Sequence, residues 1–219
     1  MFPLSLGARS GRGFRILCIG AHSDDIEIGC GGLLLSLAQQ GRTCDVDWVV
    51  FSGNAARAAE ARRGAGLFLD GARSRHVRVH RFRDGFFPHE GRRLKEAFER
   101  LKARPAPDLV LTHYRDDRHQ DHRALSDLTW NTFRDHWILE YEIPKFDGDL
   151  GSPNVFVPLD EKTCRLKVRH LEQAFGSQRD KHWFTGETFM GLMRLRGMEC
   201  RAPGGYAEAF YGRKTVLHL

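Results

Sequence analysis

Apolar segments and helix-forming segments alternate from Phe14 to His136, and this alternation limits the possible folds more than any other feature of the sequence. The first segment, Phe14–Ala21, is mostly apolar, as in a strand buried on both faces of a sheet. The next predicted strands are Asp45–Phe51, His76–Phe82 and Asp108–His113. The predicted helices are Leu33–Gln40, Ala55–Leu69, Gly91–Ala103 and Arg118–His136. Such units predict an α/β fold, a Rossmann-like three-layer sandwich with a mostly parallel sheet.

The pattern is weaker after Trp137. The predicted elements there are a strand (Ile138–Ile143), an irregular loop (Pro144–Pro158), helices (Asp160–Phe175 and Trp183–Arg196) and short strands (Tyr206–Tyr211 and Lys214–Leu217). No linker or repeat separates this region from the rest. We therefore expect a single domain over residues 1–219, in which 14–136 form the core and 137–219 form an extension that supplies walls to a site.

The composition is that of a globular protein, with 41% hydrophobic and 28% charged residues. No apolar run reaches the roughly 20 residues of a membrane helix, and Met1–Gly13 lacks the hydrophobic segment of a signal peptide. The five cysteines occur singly, which favours reduced thiols over a disulfide framework. We expect a cytoplasmic protein with no transmembrane segment.

The net charge of +6 raises the question of nucleic-acid binding. The only dense basic segment, Arg73–Arg83, alternates its charges with Val and Phe, as in a half-exposed strand. We therefore expect no nucleic-acid partner, whereas a small acidic substrate is compatible with the charge.

Polar residues follow two of the predicted strands, in the segments His22–Gly32 and Tyr114–His122. Ligands of doubly wound sheets bind beyond the carboxyl ends of the strands, so these segments are the first candidates for a site. Gly29, Gly31 and Gly32 do not complete the G-x-G-x-x-G pattern of a dinucleotide site. Asp24 and Asp25 would also repel a phosphate, although they suit a cation.

Histidine nitrogens together with carboxylate oxygens are typical ligands of a divalent metal, above all zinc. His22 and Asp25, with a histidine from the second segment, would supply the three protein ligands of a catalytic zinc site. Each of these residues alone would more often be an ordinary strand-end or helix-surface residue. Their occurrence after two core strands favours a metal site.

The two segments resemble one known family. Ala21-His22-Ser23-Asp24-Asp25 with Gly29, Gly31 and Gly32 is similar to the A-H-P-D-D-x-x-x-G-x-G-G signature of the N-acetylglucosaminyl-phosphatidylinositol deacetylases, the PIG-L or LmbE-like family. His119-Gln120-Asp121-His122 is similar to the second signature, H-P-D-H. Ser23 and Gln120 replace the usual prolines, which affects loop stiffness more than chemistry.

The resemblance implies a zinc-dependent hydrolase that removes acetyl from N-acetylated amino sugars or their conjugates. One Zn²⁺ per chain, with Fe²⁺ as an alternative, would be bound by His22, Asp25 and His122. The same resemblance implies that Asp24 is the general base, that His119 faces the reacting carbonyl and that Asp121 orients a histidine. It further implies that Arg57 and Asp84 contact the sugar hydroxyls.

Other interpretations remain open at this point. Arg57 and Glu60 would equally suit an ordinary i, i+3 ion pair, and Asp84 a turn residue before Gly85. A metal-dependent hydrolase of another amide or of a phosphoester is an alternative function. A non-catalytic carbohydrate-binding module is a third, although each ligand and the base stand in their motif positions.

Overall fold

A computed structural model describes residues 1–4 and 13–216 of the chain. The strands are β1 (Phe14–Gly20), β2 (Cys44–Ser52), β3 (Ser74–Phe82), β4 (Leu109–His113), β5 (Trp137–Tyr141), β6 (Val155–Leu159) and β7 (Tyr206–Gly212). The α-helices are α1 (Asp25–Gln39), α2 (Ala55–Phe68), α3 (Gly91–Lys102), α4 (Gln120–Thr132), α5 (Glu161–Ala174) and α6 (Gly186–Glu199). Short 3₁₀ helices span Phe87–Glu90 and Gly176–Gln178.

The strands form one sheet in the order β3-β2-β1-β4-β5-β7-β6. The pairs among β1 to β5 are parallel, whereas β7 runs antiparallel to both β5 and β6. Successive connections move outward from β1 to β3, and the chain then crosses to the other side of β1 to begin β4. The strand order thus reverses between β1 and β4, and the carboxyl ends of these two strands lie next to each other.

Helices cover both faces of the sheet. On one face Ile16 and Cys18 of β1 pack in a hydrophobic cluster that also receives residues of α1, α2 and α5. On the other face Leu17 and Ile19 pack in a second cluster with residues of α3 and α4. This alternation along a strand that is buried from Ile16 onward is the physical basis of the run Phe14–Ala21. The predicted fold, a single α/β domain of three layers with a mostly parallel sheet, is confirmed.

Helix α1 begins eight positions earlier than predicted. The prediction placed its start at Leu33 because the glycines before it suggest a loop, but the helix begins at Asp25 and includes them. A Cβ atom at Gly29 would lie 2.1 Å from the Tyr141 ring, and one at Gly31 would lie 2.4 Å from the Phe68 ring. The glycines therefore serve close packing inside the core.

The helix is kinked at Cys30, whose φ of −142° is not helical. The backbone groups that this kink leaves unpaired are bound by two buried side chains. Glu208 of β7 accepts hydrogen bonds from the N–H groups of Gly32 and Leu33, at 2.6 and 2.7 Å. Lys167 of α5 donates to the carbonyl oxygen of Ile28 at 2.6 Å and to Glu208 at 2.7 Å. The C-terminal part of the chain thus fixes the first helix.

Gly29→Ala is expected to lower the free energy of unfolding by about 1–3 kcal/mol, because the added methyl would overlap the buried Tyr141 ring. Gly66→Ala is the matched control, since Gly66 lies in α2 and a Cβ there meets no atom within 4 Å. That control should stabilise the protein by about 0.5–1 kcal/mol, because alanine favours a helix. Urea unfolding of both variants measures the difference, and equal stabilities would contradict the packing argument.

Three predicted segments after Trp137 differ from the structure. The predicted loop Pro144–Pro158 contains most of β6, which Pro158 conceals in the sequence. Among the strands that the structure describes, β6 pairs with β7 alone, so it is an edge strand, where a proline is tolerated. The helix predicted at Trp183–Arg196 begins at Gly186. The strand predicted at Lys214–Leu217 is wrong for residues 214–216, which are irregular, and Leu217 lies outside the described residues.

The basic segment Arg73–Arg83 is correctly predicted as a half-exposed strand. It forms β3 at the other edge of the sheet, where most of its side chains remain partly or fully accessible. Within the described residues, none of the helices combines the length and apolar character that crossing a membrane requires. Residues 5–12 of the N-terminal stretch lie outside the description.

Candidate active site

A cleft of about 690 Å³ opens at the carboxyl ends of β1 and β4. Connections leave these neighbouring strands toward opposite sides, which creates a crevice at this point of a doubly wound sheet. The volume lies in the range of small-molecule sites. Every predicted site residue except Asp121 lines the cleft: His22, Asp24, Asp25, Arg57, Asp84, His119 and His122.

Asp25 shapes the loop between β1 and α1. It is the first residue of α1, and its Oδ2 accepts a hydrogen bond from the N–H of His22 at 2.6 Å. Burial raises the pKa of Asp25, but the neighbouring imidazoles of His122, His113 and His22 hold it well below its usual range. Asp25 is therefore an ionised carboxylate in a buried position, surrounded by imidazole rings.

Three atoms from two segments converge here: one oxygen of this carboxylate and two imidazole nitrogens. His22 Nδ1 lies 3.4 Å from Asp25 Oδ2 and 3.2 Å from His122 Nε2, and the latter lies 3.6 Å from Asp25 Oδ2. Ligands of a tetrahedral zinc ion at bond lengths of about 2.0–2.1 Å are about 3.3–3.4 Å apart. The spacing and the donor types therefore fit one divalent ion.

His122 is held as a neutral imidazole by a carboxylate that the sequence analysis did not identify. Asp117 Oδ2 lies 2.8 Å from His122 Nδ1, so the protonated Nδ1 donates and Nε2 keeps its lone pair for a cation. Burial and the His113 ring lower the pKa of His122 to about 4. The pKa of Asp117 is held well below its usual range, mainly by the hydrogen bond from His122, although burial opposes this.

Asp117→Asn is expected to weaken metal binding by about 10–100-fold, because the amide holds the His122 ring less firmly and makes the imidazole less basic. Asp127→Asn, an exposed position on α4, is the control and should leave the affinity unchanged. Equilibrium dialysis against zinc in a competing chelator measures both. Equal affinities in the two variants would show that Asp117 does not support a metal ligand.

His113 was also not predicted as a site residue. It ends β4, is fully buried, and stacks on His122 with ring centroids 3.9 Å apart. Its Nε2 accepts the N–H of Ala21 at 2.9 Å and lies 3.2 Å from Asp25 Oδ2. His113 thus joins the end of β1 to the end of β4 directly behind the three converging atoms.

Asp121 lies near His22 and not His122. Its two oxygens accept the N–H groups of Gly85 and Phe87, at 2.7 and 3.1 Å. Its Oδ2 also lies 3.4 Å from His22 Nε2, and Asp84 Oδ1 lies 3.0 Å from the same nitrogen. Burial lowers the pKa of His22, but Asp25, Asp121 and Asp84 outweigh this and raise it well above its usual value.

Asp24 and Arg57 form a partly buried ion pair beside these residues. Arg57 Nη2 lies 2.7 Å from Asp24 Oδ1, while Nη1 of the same guanidinium donates to Glu60 Oε2 at 2.9 Å. Burial raises the pKa of Asp24, and the positive charge of Arg57 opposes the increase. The ion pair of Arg57 and Glu60 therefore exists, and the same guanidinium also contacts the predicted base.

His119 caps the N-terminus of α4. Its Nδ1 accepts the N–H of Asp121 at 3.2 Å, so in the neutral ring the proton is on Nε2. Burial and the nearby His22 lower the pKa of His119, which favours this neutral form. The ring lies 4.9 Å from that of His22. His119 therefore supplies an N–H donor beside the three converging atoms.

A known protein family matches the part of the chain that forms this cleft. The model of the PIG-L family, described as GlcNAc-PI de-N-acetylase, matches residues 17–133, which is more than half of the chain. The chain belongs to the PIG-L family. The matched residues of this PIG-L chain include both segments that converge on the cleft. An uncharacterised deacetylase of Escherichia coli, YaiS, is 32% identical over 171 residues, covering 72% of this chain and 89% of that protein.

Solved structures share the PIG-L fold of this chain. The N,N'-diacetylchitobiose deacetylase of Pyrococcus horikoshii superposes with a TM-score of 0.66 and 19% identity, covering 91% of this chain and 83% of that one. A 4-carboxy-2-hydroxymuconate hydratase, GalB of a Pseudomonas species, superposes with a TM-score of 0.68 and 18% identity, covering 94% and 99%. At these identities the likeness shows the fold alone, and the fold serves more than one reaction.

Proposed function

We propose that this PIG-L protein is a metal-dependent hydrolase that removes the N-acetyl group from an N-acetylated amino sugar or its conjugate. The single observation that carries the proposal is the convergence of His22, Asp25 and His122 within 3.2–3.6 Å of one another at an open cleft. Zn²⁺, or Fe²⁺ in its place, suits this mixed nitrogen and oxygen set. When bound, the ion supplies Lewis acidity toward the amide carbonyl and toward water.

Asp24 is the proposed general base. Its carboxylate is next in sequence to the proposed ligand Asp25 but pairs with Arg57, so it would stay available to accept a proton when an ion is bound. In the reaction, Asp24 takes a proton from the attacking water as the water oxygen bonds to the acetyl carbon. When the C–N bond breaks, the same proton passes to the departing amine and acetate is released. A carboxyl with a raised pKa suits both transfers.

His119 is the proposed donor to the oxyanion that develops on the acetyl oxygen. Its Nδ1 is occupied by the N–H of Asp121, which directs the Nε2 proton outward. A donor fixed in this way requires little reorganisation during the reaction. Asp121 in turn fixes the 3₁₀ helix Phe87–Glu90 and lies beside His22, which suits a role in orienting that histidine.

Arg57 and Asp84 are the proposed contacts to the sugar hydroxyls. Arg57 keeps an orientation set by Asp24 and Glu60, and Ser177 shares the same guanidinium at 3.1 Å. The side chain of Asp84 is 72% accessible, lines the same cleft and lies next to His22. The deacetylase relatives, one of which acts on N,N'-diacetylchitobiose, support an amino sugar as the substrate class.

Acetate release from N-acetylglucosamine, its methyl glycoside and N,N'-diacetylchitobiose by the zinc-loaded protein tests the proposal. We expect release from at least one of these sugars, and loss of it on treatment with a chelator. A phosphoester panel and non-sugar acetamides serve as controls. Turnover of a phosphoester without any release of acetate would overturn the proposal.

A further inference from the structure

One large aromatic side chain is exposed at the mouth of the cleft. Phe146, in the loop after β5, is 74% accessible, yet its ring belongs to the lining of the cleft that holds the site. Trp183 lines the same cleft and is half-buried. We call these two side chains the aromatic rim. Because most of the Phe146 side chain stays accessible inside the cleft, it is available to contact a ligand.

The loop that carries Phe146 is fixed on both sides of the ring. Lys145, only 10% accessible, places its Nζ 2.9 Å from Asp117 Oδ2 and also pairs with Asp149. Asp149 Oδ2 accepts the N–H of Arg118 at 2.7 Å. Because Asp117 also holds His122, the loop that carries Phe146 is tied to one of the proposed metal ligands. Such preorganisation lowers the entropic cost of binding a ring on Phe146.

Trp183, the second residue of the aromatic rim, is linked to Phe146 through its sequence neighbour His182. The rings of Phe146 and His182 meet at a centroid distance of 4.7 Å and an angle of 63°. Lys181 Nζ lies 5.8 Å from the Trp183 ring, and Gln178 also lines the cleft. The lining therefore combines aromatic faces with ammonium and amide donors. Pyranose rings match this chemistry, since they present a face of C–H bonds and a rim of hydroxyls.

We propose that the aromatic rim is a subsite for a second sugar ring, the one attached to the amino sugar that is deacetylated. This inference rests on the proposed function and makes Phe146 a specificity-determining residue. An extended alkyl chain suits the surroundings less well, because six charged side chains also line the cleft: Arg81, Arg83, Asp84, Lys145, Asp147 and Lys181. The preferred substrate is then a glycoside of N-acetylglucosamine that carries a further ring.

The test compares N,N'-diacetylchitobiose with the methyl glycoside of N-acetylglucosamine in the full-length, zinc-loaded protein. Phe146→Ala should raise KM for the disaccharide by about three- to tenfold, as expected for the loss of one ring contact. The value of kcat and both constants for the methyl glycoside should stay unchanged. Phe146→Trp should restore KM, whereas Phe146→Leu, which is apolar but has no ring, should not.

Leu195→Ala is the matched control, because Leu195 is an exposed apolar residue of α6 that does not line the cleft. It should leave all constants unchanged. Equal changes for both sugars in Phe146→Ala, or restoration by Phe146→Leu with better turnover of an octyl glycoside, would overturn the inference.

Calorimetric titration of the same two sugars separates this inference from the proposed function. If no sugar releases acetate, the proposed function fails. Tighter binding of the disaccharide that Phe146→Ala abolishes would still support the subsite. Equal or undetectable binding of both sugars would overturn it as well.

Discussion

Asp24→Asn should retain its metal and lose most of its deacetylase activity. The amide has nearly the same shape as the carboxylate but accepts no proton, so the water attacks without a base, and kcat should fall by about 10²–10⁴-fold. Metal content should stay near that of the unmodified protein, because Asp24 faces Arg57 and not the three converging ligand atoms. Initial rates of acetate release and elemental analysis of the same sample give the two readouts.

The folded structure should survive this substitution. Arg57 keeps its contacts with Glu60 and Ser177 when Asp24 becomes neutral. Asp70→Asn, an exposed change at the opposite end of α2, is the control for loss of a negative charge. If Asp24→Asn came out of purification without metal while Asp70→Asn kept it, Asp24 would be a ligand and the proposed roles of Asp24 and Asp25 would be exchanged.

His122→Ala should remove both the metal and the activity. His122 Nε2 is one of three proposed protein ligands, so its loss should weaken metal binding by at least about 100-fold. This effect should exceed that of Asp117→Asn, which changes only the hydrogen-bonding partner of His122. Loss of Lewis-acid catalysis should lower kcat/KM by on the order of 10³-fold. Isothermal titration with zinc and acetate-release rates at saturating zinc measure these effects.

Thermal unfolding gives a further readout for the same variant. A metal that binds only the folded state raises its stability, so a chelator should lower the Tm of the unmodified protein but not that of His122→Ala. His89→Ala, an exposed histidine after β3, is the control and should respond to the chelator like the unmodified protein. An identical response in His122→Ala would show that the ion binds elsewhere.

The sequence predicted the parallel part of the fold because hydrophobic periodicity is strong there. Strand β1 is buried on both faces, so its apolar run is easily recognised in the sequence. Strand β6, at the edge, contains Pro158 and has no such run. The predicted start of α1 was wrong because glycines ordinarily suggest a turn. Here Gly29 and Gly31 lie inside the helix, where the Tyr141 and Phe68 rings leave no space for a larger side chain.

The candidate site was predicted in part. His22, Asp25 and His122 stand in short signatures, and the fold brings them together at the ends of β1 and β4. Asp117 could have been found by asking which acid precedes the second signature by a short interval. His113 could not, because it ends a buried strand and its contacts exist only in the folded chain. The pairing of Lys145 with Asp117 joins two distant loops, so this contact also appears only in the fold.

The hydrogen bonds from Gly32 and Leu33 to Glu208 join positions about 175 residues apart in the chain. During synthesis, the helix that begins at Asp25 therefore leaves the ribosome long before its partner on β7 exists. In the nascent chain that helix should stay incompletely ordered until β7 is inserted into the sheet. Pairing between such distant positions slows folding. A proteolytic cut ahead of β7 should consequently inactivate the molecule as a whole, even though the cut lies far from the cleft in sequence.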